Sequence, residues 1–114
     1  VRTICDNCKV FYEPGQEILM ELGLESTDLQ GKRFAYGKGC NRCNATGYKG
    51  RTAIFEMLVL SDILRKMILD GESADELRAQ GQREGVQTLR ASGLVAVFEG
   101  RTTVEEVIRE SISI

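Results

Sequence analysis

All four cysteines of the chain stand in two Cys-x-x-Cys pairs, Cys5 with Cys8 and Cys40 with Cys43. Two thiolates three positions apart on a tight turn can both face one ion, and the N–H groups of that turn can hydrogen-bond the sulfurs. Two such turns close a tetrahedron. Pairs separated by a few dozen residues are therefore a strong signature of zinc held by four cysteines. The spacing predicts Cys5, Cys8, Cys40 and Cys43 as the metal ligands. Gly39 and Gly47 flank the second turn, and Asn7 and Asn44 lie within or beside the turns. These residue types tolerate the left-handed backbone that such turns often need. A closed four-cysteine site leaves no open coordination position, so the metal would be structural. The same four residues admit other readings: a disulfide framework, a rubredoxin-type iron centre, or a dithiol redox site. A disulfide framework belongs to secreted chains, and nothing in the sequence marks secretion.

The metal signal sits in a chain of ordinary single-domain length, 114 residues, 28% charged and 42% apolar. That balance reads as soluble and globular. No run approaches the roughly 20 apolar residues that span a membrane, and no signal peptide is visible. The sequence opens at Val1 without Met, which reads as a cut from something longer. Histidine is absent, so histidine catalysis and histidine metal ligands are excluded. The net charge is −2, which argues against nucleic acid as a partner. The charge is uneven, though. Between Asp28 and Glu56 there is no acidic residue, and the interval holds Lys32, Arg33, Lys38, Arg42, Lys49 and Arg51. A four-thiolate zinc site carries a formal double negative charge, which Lys9, Lys38 and Arg42 are placed in sequence to offset.

The patterning divides the chain at residue 50. Residues 1–50 carry the cysteines and irregular sequence. A short helix is expected in "EPGQEILMELG", with Pro14 in its first turn, Ile18, Leu19 and Leu22 on one face and Gly23 as its stop. A short strand is expected in "KRFAYGKG". Residues 51–114 open with "RTAIFEMLVL", which reads as a strand. Four helices should follow. Ser61 caps the first, whose apolar stripe is Ile63, Leu64, Met67 and Ile68, with Gly71 as the stop. Ser73 with Glu76, and Thr103 with Glu106, fit capping boxes for the second and for the fourth, "VEEVIRESI". The third holds Leu89, Val95, Val97 and Phe98 and ends at Gly100. The expected class is α+β, mostly α: a small zinc-stapled subdomain, then a compact helical one.

Three segments, "RTICDNCK", "GKGCNRCNATGYKGRTAIFEML" and "GVQTLRASGLVAVFEGRTTVEEVIRES", resemble the C-terminal region of the ATPases of type II secretion and type IV pilus assembly. The resemblance runs from Arg2 to about Glu110 and maps that family's four zinc ligands onto Cys5, Cys8, Cys40 and Cys43. It implies a hexameric cytoplasmic motor with a RecA-like core that hydrolyses ATP with Mg2+. The motor would sit peripherally at the inner membrane and work on a platform protein there. Its partners would be the other subunits of the ring and that platform.

One departure matters. The chain has no G-x-x-x-x-G-K-[ST] phosphate loop; "GYKGRT" has the wrong spacing, and no acidic strand-end motif for magnesium is evident. No catalytic or nucleotide-binding residue is therefore assigned here. ATP and Mg2+ would belong to the parent protein alone. The competing reading is a free-standing zinc ribbon that binds nucleic acid or a protein; a thiol redox enzyme comes last. Arg51 and Glu56 are expected to be structural, Arg51 by bracing a loop through carbonyl hydrogen bonds.

Overall fold

A computed structural model describes residues 1–29 and 32–111. Among these residues four short strands form two antiparallel ribbons. β1 (Arg2–Ile4) pairs with β4 (Tyr48–Arg51), and β2 (Lys9–Tyr12) pairs with β3 (Phe34–Gly37). The cysteine turns are the links between them: Cys5 and Cys8 join β1 to β2, and Cys40 and Cys43 join β3 to β4. Each turn therefore spans both ribbons, which places the two pairs side by side at one end. α1 (Gln16–Leu22) and a 3₁₀ turn (Ser26–Leu29) lie between β2 and β3.

The four later helices are α2 (Asp62–Leu69), α3 (Ala74–Arg83), α4 (Leu89–Phe98) and α5 (Val104–Glu110). Among the described residues the fold is α+β with five helices, as the patterning predicts. Ser61, Ser73 and Thr103 cap their helices through the N–H groups of Leu64, Glu76 and Glu106, each at 3.2 Å. Each such cap stabilises its helix by about 1 kcal/mol. Thr88, which the sequence reading passed over, caps α4 through Ala91 N–H at 3.1 Å. Gly23, Gly71 and Gly100 end their helices at positive φ. The last residue of the expected fourth helix, Ile112, lies outside the described residues.

Two expectations change. "RTAIFEMLVL" does not form a strand beyond Arg51. Its β-formers supply propensity, but a strand also needs a partner for its ladder. β1 has only three residues, and its pairing ends at Arg2 opposite Arg51, with Val1 and Thr52 exchanging one last pair of bonds. The segment outruns its partner. The α2 stripe is also only partly covered: Leu64 is buried, whereas Ile63 and Ile68 are exposed.

The main core crosses residue 50. Phe34 of β3 is buried with Val97 of α4 and Val104 and Val107 of α5, with Tyr12, Ile18, Leu22 and Phe98 packed around them. Helices α4 and α5 come close because of Gly93: a Cβ there would lie 2.6 Å from a Val107 methyl. The turn after α4 joins the first ribbon directly. Ile4 N–H donates to Arg101 O at 2.9 Å, and Thr102 Oγ1 donates to Arg2 O at 2.7 Å.

Candidate metal centre

The fold brings all four predicted ligands together. Their sulfurs lie within 4.8 Å of one another. Cys5 and Cys40 are 3.7 Å apart, Cys8 and Cys43 3.8 Å, and Cys40 and Cys43 3.6 Å. A regular tetrahedron with metal–sulfur bonds of about 2.3 Å has edges of about 3.8 Å. The cluster therefore fits a zinc-sized ion. Its sulfurs are too far apart to be disulfide-bonded, since that bond is about 2.05 Å long, and all four cysteines are free.

Backbone geometry orients the sulfurs. Gly39 N–H donates to Cys8 Sγ at 3.3 Å, and Gly47 N–H and Cys40 N–H each donate to Cys43 Sγ at 3.2 Å. Gly39, Asn44 and Gly47 have positive φ, as expected, but Asn7 does not. Asn7 acts instead through its side chain, the largest influence that lowers the Cys40 thiol. Ala45 also adopts a positive φ, 63°, although nothing in its residue type marks the position. Thr46 closes the second turn by donating from Oγ1 to Cys43 O at 2.7 Å. The two turns are also tied to each other, Cys5 N–H to Gly47 O at 2.9 Å and Lys38 N–H to Cys8 O at 3.1 Å.

Electrostatics divides the thiols. Cys40 is lowered to about 6, chiefly by the Asn7 side chain, with backbone N–H groups of Cys43 and Arg42 adding to it against burial. Burial is the largest influence on Cys43 and opposes ionisation, yet the N–H groups of Gly47 and Cys40 bring it below its ordinary value. Burial pushes Cys8 up to about 11. Without a cation, four adjacent thiols cannot all ionise; a divalent ion supplies the charge that deprotonates a coordinating thiol outright. Of the cations expected to offset the site, Lys9 pairs instead with Asp6 at 3.2 Å.

The sequence reading missed Gly37. A Cβ on it would stand 2.1 Å from the Gly47 carbonyl oxygen, and a Cβ on Gly47 would stand 2.4 Å from that of Gly37. The two backbones touch because neither residue has a side chain. Gly37→Ala must push the second turn away from β3. Backbone cannot swing aside as a side chain can, so the expected loss is about 3 kcal/mol, the upper end for overpacking. Urea denaturation checks that loss, and a chelator competition should show weaker metal binding.

Arg51 and Glu56 differ from each other. Arg51 is exposed, and among the described residues its guanidinium makes no hydrogen bond to a carbonyl, so it does not brace the loop. Arg101 is the residue that ties the neighbouring segment, by donating to Thr52 Oγ1 at 2.9 Å. Glu56 is structural: its carboxylate accepts from Leu89 N–H at 2.9 Å, satisfying a free donor at the start of α4.

The family described as "Type II/IV secretion system protein" matches residues 1–109. The chain is 46% identical over 112 residues to a "Type IV pilus assembly ATPase PilB" of Thermus thermophilus, covering 98% of this chain and 13% of that protein. It is 38% identical to the protein of that name from Myxococcus xanthus, covering 94% of this chain and 19% of the relative. It is also 38% identical to the "Type II secretion system protein E" of Dickeya dadantii, covering 96% and 21%. The chain thus spans between 13% and 21% of the length of these relatives. Among the described residues no helix is long and apolar enough to cross a membrane.

Proposed function

The chain belongs to the Type II/IV secretion system protein family, and we propose that it is the zinc-stapled C-terminal module of a hexameric cytoplasmic ATPase. That motor powers type II protein secretion or type IV pilus assembly. Cys5, Cys8, Cys40 and Cys43 hold the zinc, which neutralises the clustered thiolates and pins both ribbons at one end. The module carries no catalytic centre. It passes movement between subunits of the ring and contacts an inner-membrane platform protein, which keeps the motor at the membrane surface. The relatives' names, three of them quoted above, support the secretion and pilus reading.

The observation that carries this reading is an exposed apolar row. Phe55, Met57, Val59 and Leu69 are 63%, 69%, 73% and 86% exposed, and Leu58, Leu60, Ile63 and Ile68 are exposed beside them. A free-standing small domain seldom leaves so long an apolar stretch in water. The radius of gyration is 17.0 Å, where a compact chain of this length has about 13 Å. Both features suit a module that packs on the rest of a larger protein.

Calorimetric titration of ATP·Mg tests the assignment. The 114-residue protein is expected to show neither saturable binding nor turnover, because no segment offers converging backbone N–H groups with a lysine for the terminal phosphates. A longer protein containing it should hydrolyse ATP as a ring. There, Val59→Asp brings an unpaired charge into an apolar contact and should lower ring assembly and turnover about tenfold or more. In the 114-residue protein the same change falls at an exposed position and should alter stability by less than about 0.5 kcal/mol. Micromolar ATP binding by the short protein, or an indifferent Val59→Asp ring, would overturn the proposal.

A further inference from the structure

The chain has three tyrosines, and all of them line one surface groove of about 490 Å³ together with Ile18 and Glu105. The ribbon sets the first two walls. In the β2–β3 register Tyr12 faces Phe34 and Val10 faces Tyr36, so Tyr12 and Tyr36 are diagonal neighbours on one face. Their ring centroids are 5.7 Å apart and the planes meet at 74°, which makes a corner. Tyr48 forms a further wall, fixed by a 2.8 Å hydrogen bond between its hydroxyl and Thr103 Oγ1. Glu105, in the first turn of α5, brings a carboxylate to the rim. The Tyr12 hydroxyl is pushed up to about 12, first by burial and then by the charge of Glu105, so it stays neutral and the corner carries no second negative group.

The rest of the molecule shows what such rings attract. Arg2 lies over Tyr48 at 4.0 Å, Arg33 over Phe11 at 4.3 Å and Lys32 over Phe98 at 4.6 Å. Among the described residues, no cation of the chain covers Tyr12 or Tyr36, and Glu105 makes no ion pair. Ring faces are electronegative and attract cations. Tyr12 also meets Phe34 edge-on, at 6.1 Å and 88°, which holds its ring in place. Two rings without a cation over them, in a corner beside a carboxylate without an ion pair, suit one positive group. We propose that this groove receives an arginine side chain from a segment of a partner protein, its guanidinium stacked in the Tyr12–Tyr36 corner and paired with Glu105. Arginine suits the site better than lysine. Its flat guanidinium stacks on a ring while its edge donates to a carboxylate, whereas an ammonium is a compact, strongly hydrated point charge. The aliphatic stem lies along Ile18, and flanking peptide fills the remaining volume. This inference rests on the groove alone and does not need the motor reading.

The test uses the 114-residue protein, loaded with zinc, and three blocked tripeptides, Ala-Arg-Ala and its lysine and citrulline counterparts. Ring resonances of Tyr12 and Tyr36 are followed by NMR. The arginine peptide is expected to shift them saturably with a millimolar dissociation constant, more weakly at high salt. Citrulline has the same shape without the charge and should not shift them. Glu105→Gln should weaken binding about two- to fivefold, the weight of an exposed ion pair. Tyr36→Leu, at a side chain 43% exposed, should abolish it with the remaining spectrum unchanged. Equal shifts with citrulline, tighter binding of lysine, an unaffected Glu105→Gln variant, or no shift at either tyrosine would overturn the proposal.

Discussion

Cys40→Ser is expected to dismantle the ribbons together with α4 and α5 while α2 and α3 keep their protection. A structural zinc site is worth about 10–16 kcal/mol of apparent binding free energy. A whole domain is stable by only about 5–15 kcal/mol. Replacing one thiolate by a hydroxyl forfeits a large part of the first quantity, enough to exceed the second. Purified under reducing conditions, the wild-type protein should carry one zinc per chain, and the variant should lose it to a mild chelator. Iron in its place, or a Cys5–Cys8 disulfide that survives reductant, would sink the zinc assignment. The consequence then spreads along contacts rather than along the sequence. Ile4 and Arg2 bond to Arg101 and Thr102, and Phe34 shares its core with Val97, Val104 and Val107. Helices α2 and α3 have their own caps and pack on each other. We propose residue 50 as a boundary of sequence type and not of cooperative unfolding. Amide hydrogen exchange tests that directly: loss confined to residues 1–50 would show that α4 and α5 stand without the metal-bearing half.

Glu106 carries the second large effect. Its side chain is 2% exposed, a cost that its partners offset. Arg2 donates to Oε1 from Nη2 at 2.8 Å and from Nε at 3.1 Å, the Arg2 backbone N–H donates to Oε2 at 2.8 Å, and Arg109 also donates to Oε1. The arginine side chains are 46% and 57% exposed, so solvent screens much of the attraction. The charged hydrogen bonds and the lost packing together put Glu106→Ala at about 2–3 kcal/mol destabilising, measured in urea. Glu106 has its folded pKa held below the ordinary value: burial pushes it up, and the Arg2 side chain and backbone, with Arg109, more than reverse that. A depressed carboxylate contributes stability that is fully present above its unfolded pKa of about 4.3. That stability is lost as the pH falls through the folded value. Metal release in acid acts on wild type and variant alike. The difference between wild type and Glu106→Gln should therefore shrink as the pH drops below about 4.3. A difference independent of pH would show that the carboxylate charge does not contribute.

The same residue shows where sequence reading stops. Thr103 with Glu106 has the spacing of a capping box, and half of it forms: Thr103 accepts from Glu106 N–H. The reciprocal half does not, because the carboxylate turns to Arg2, 104 positions away. Local spacing has no access to a competing partner at that distance. "RTAIFEMLVL" fails for a related reason, since strand propensity belongs to the segment but a ladder belongs to a pair, and β1 is too short to extend it. Gly37 and Gly93 looked ordinary in sequence; only the approach of the Gly47 carbonyl and of Val107 makes a missing Cβ necessary there.

What the sequence by itself determined is what one turn of backbone can encode. Two Cys-x-x-Cys spacings, with Gly39, Asn44 and Gly47 beside them, already specify paired thiolates on left-handed turns. Ser61, Ser73 and Thr103 mark helix starts through bonds only three residues long. What the tertiary structure alone decided is everything that needs two distant segments at once. Each cysteine turn links one strand of each ribbon, so the pairs meet only because β1 finds β4 and β2 finds β3. The three tyrosines meet for the same reason: strand pairing and the docking of α5 are long-range events. Their geometry is set by which backbone groups find each other, and no single stretch of the chain carries that information.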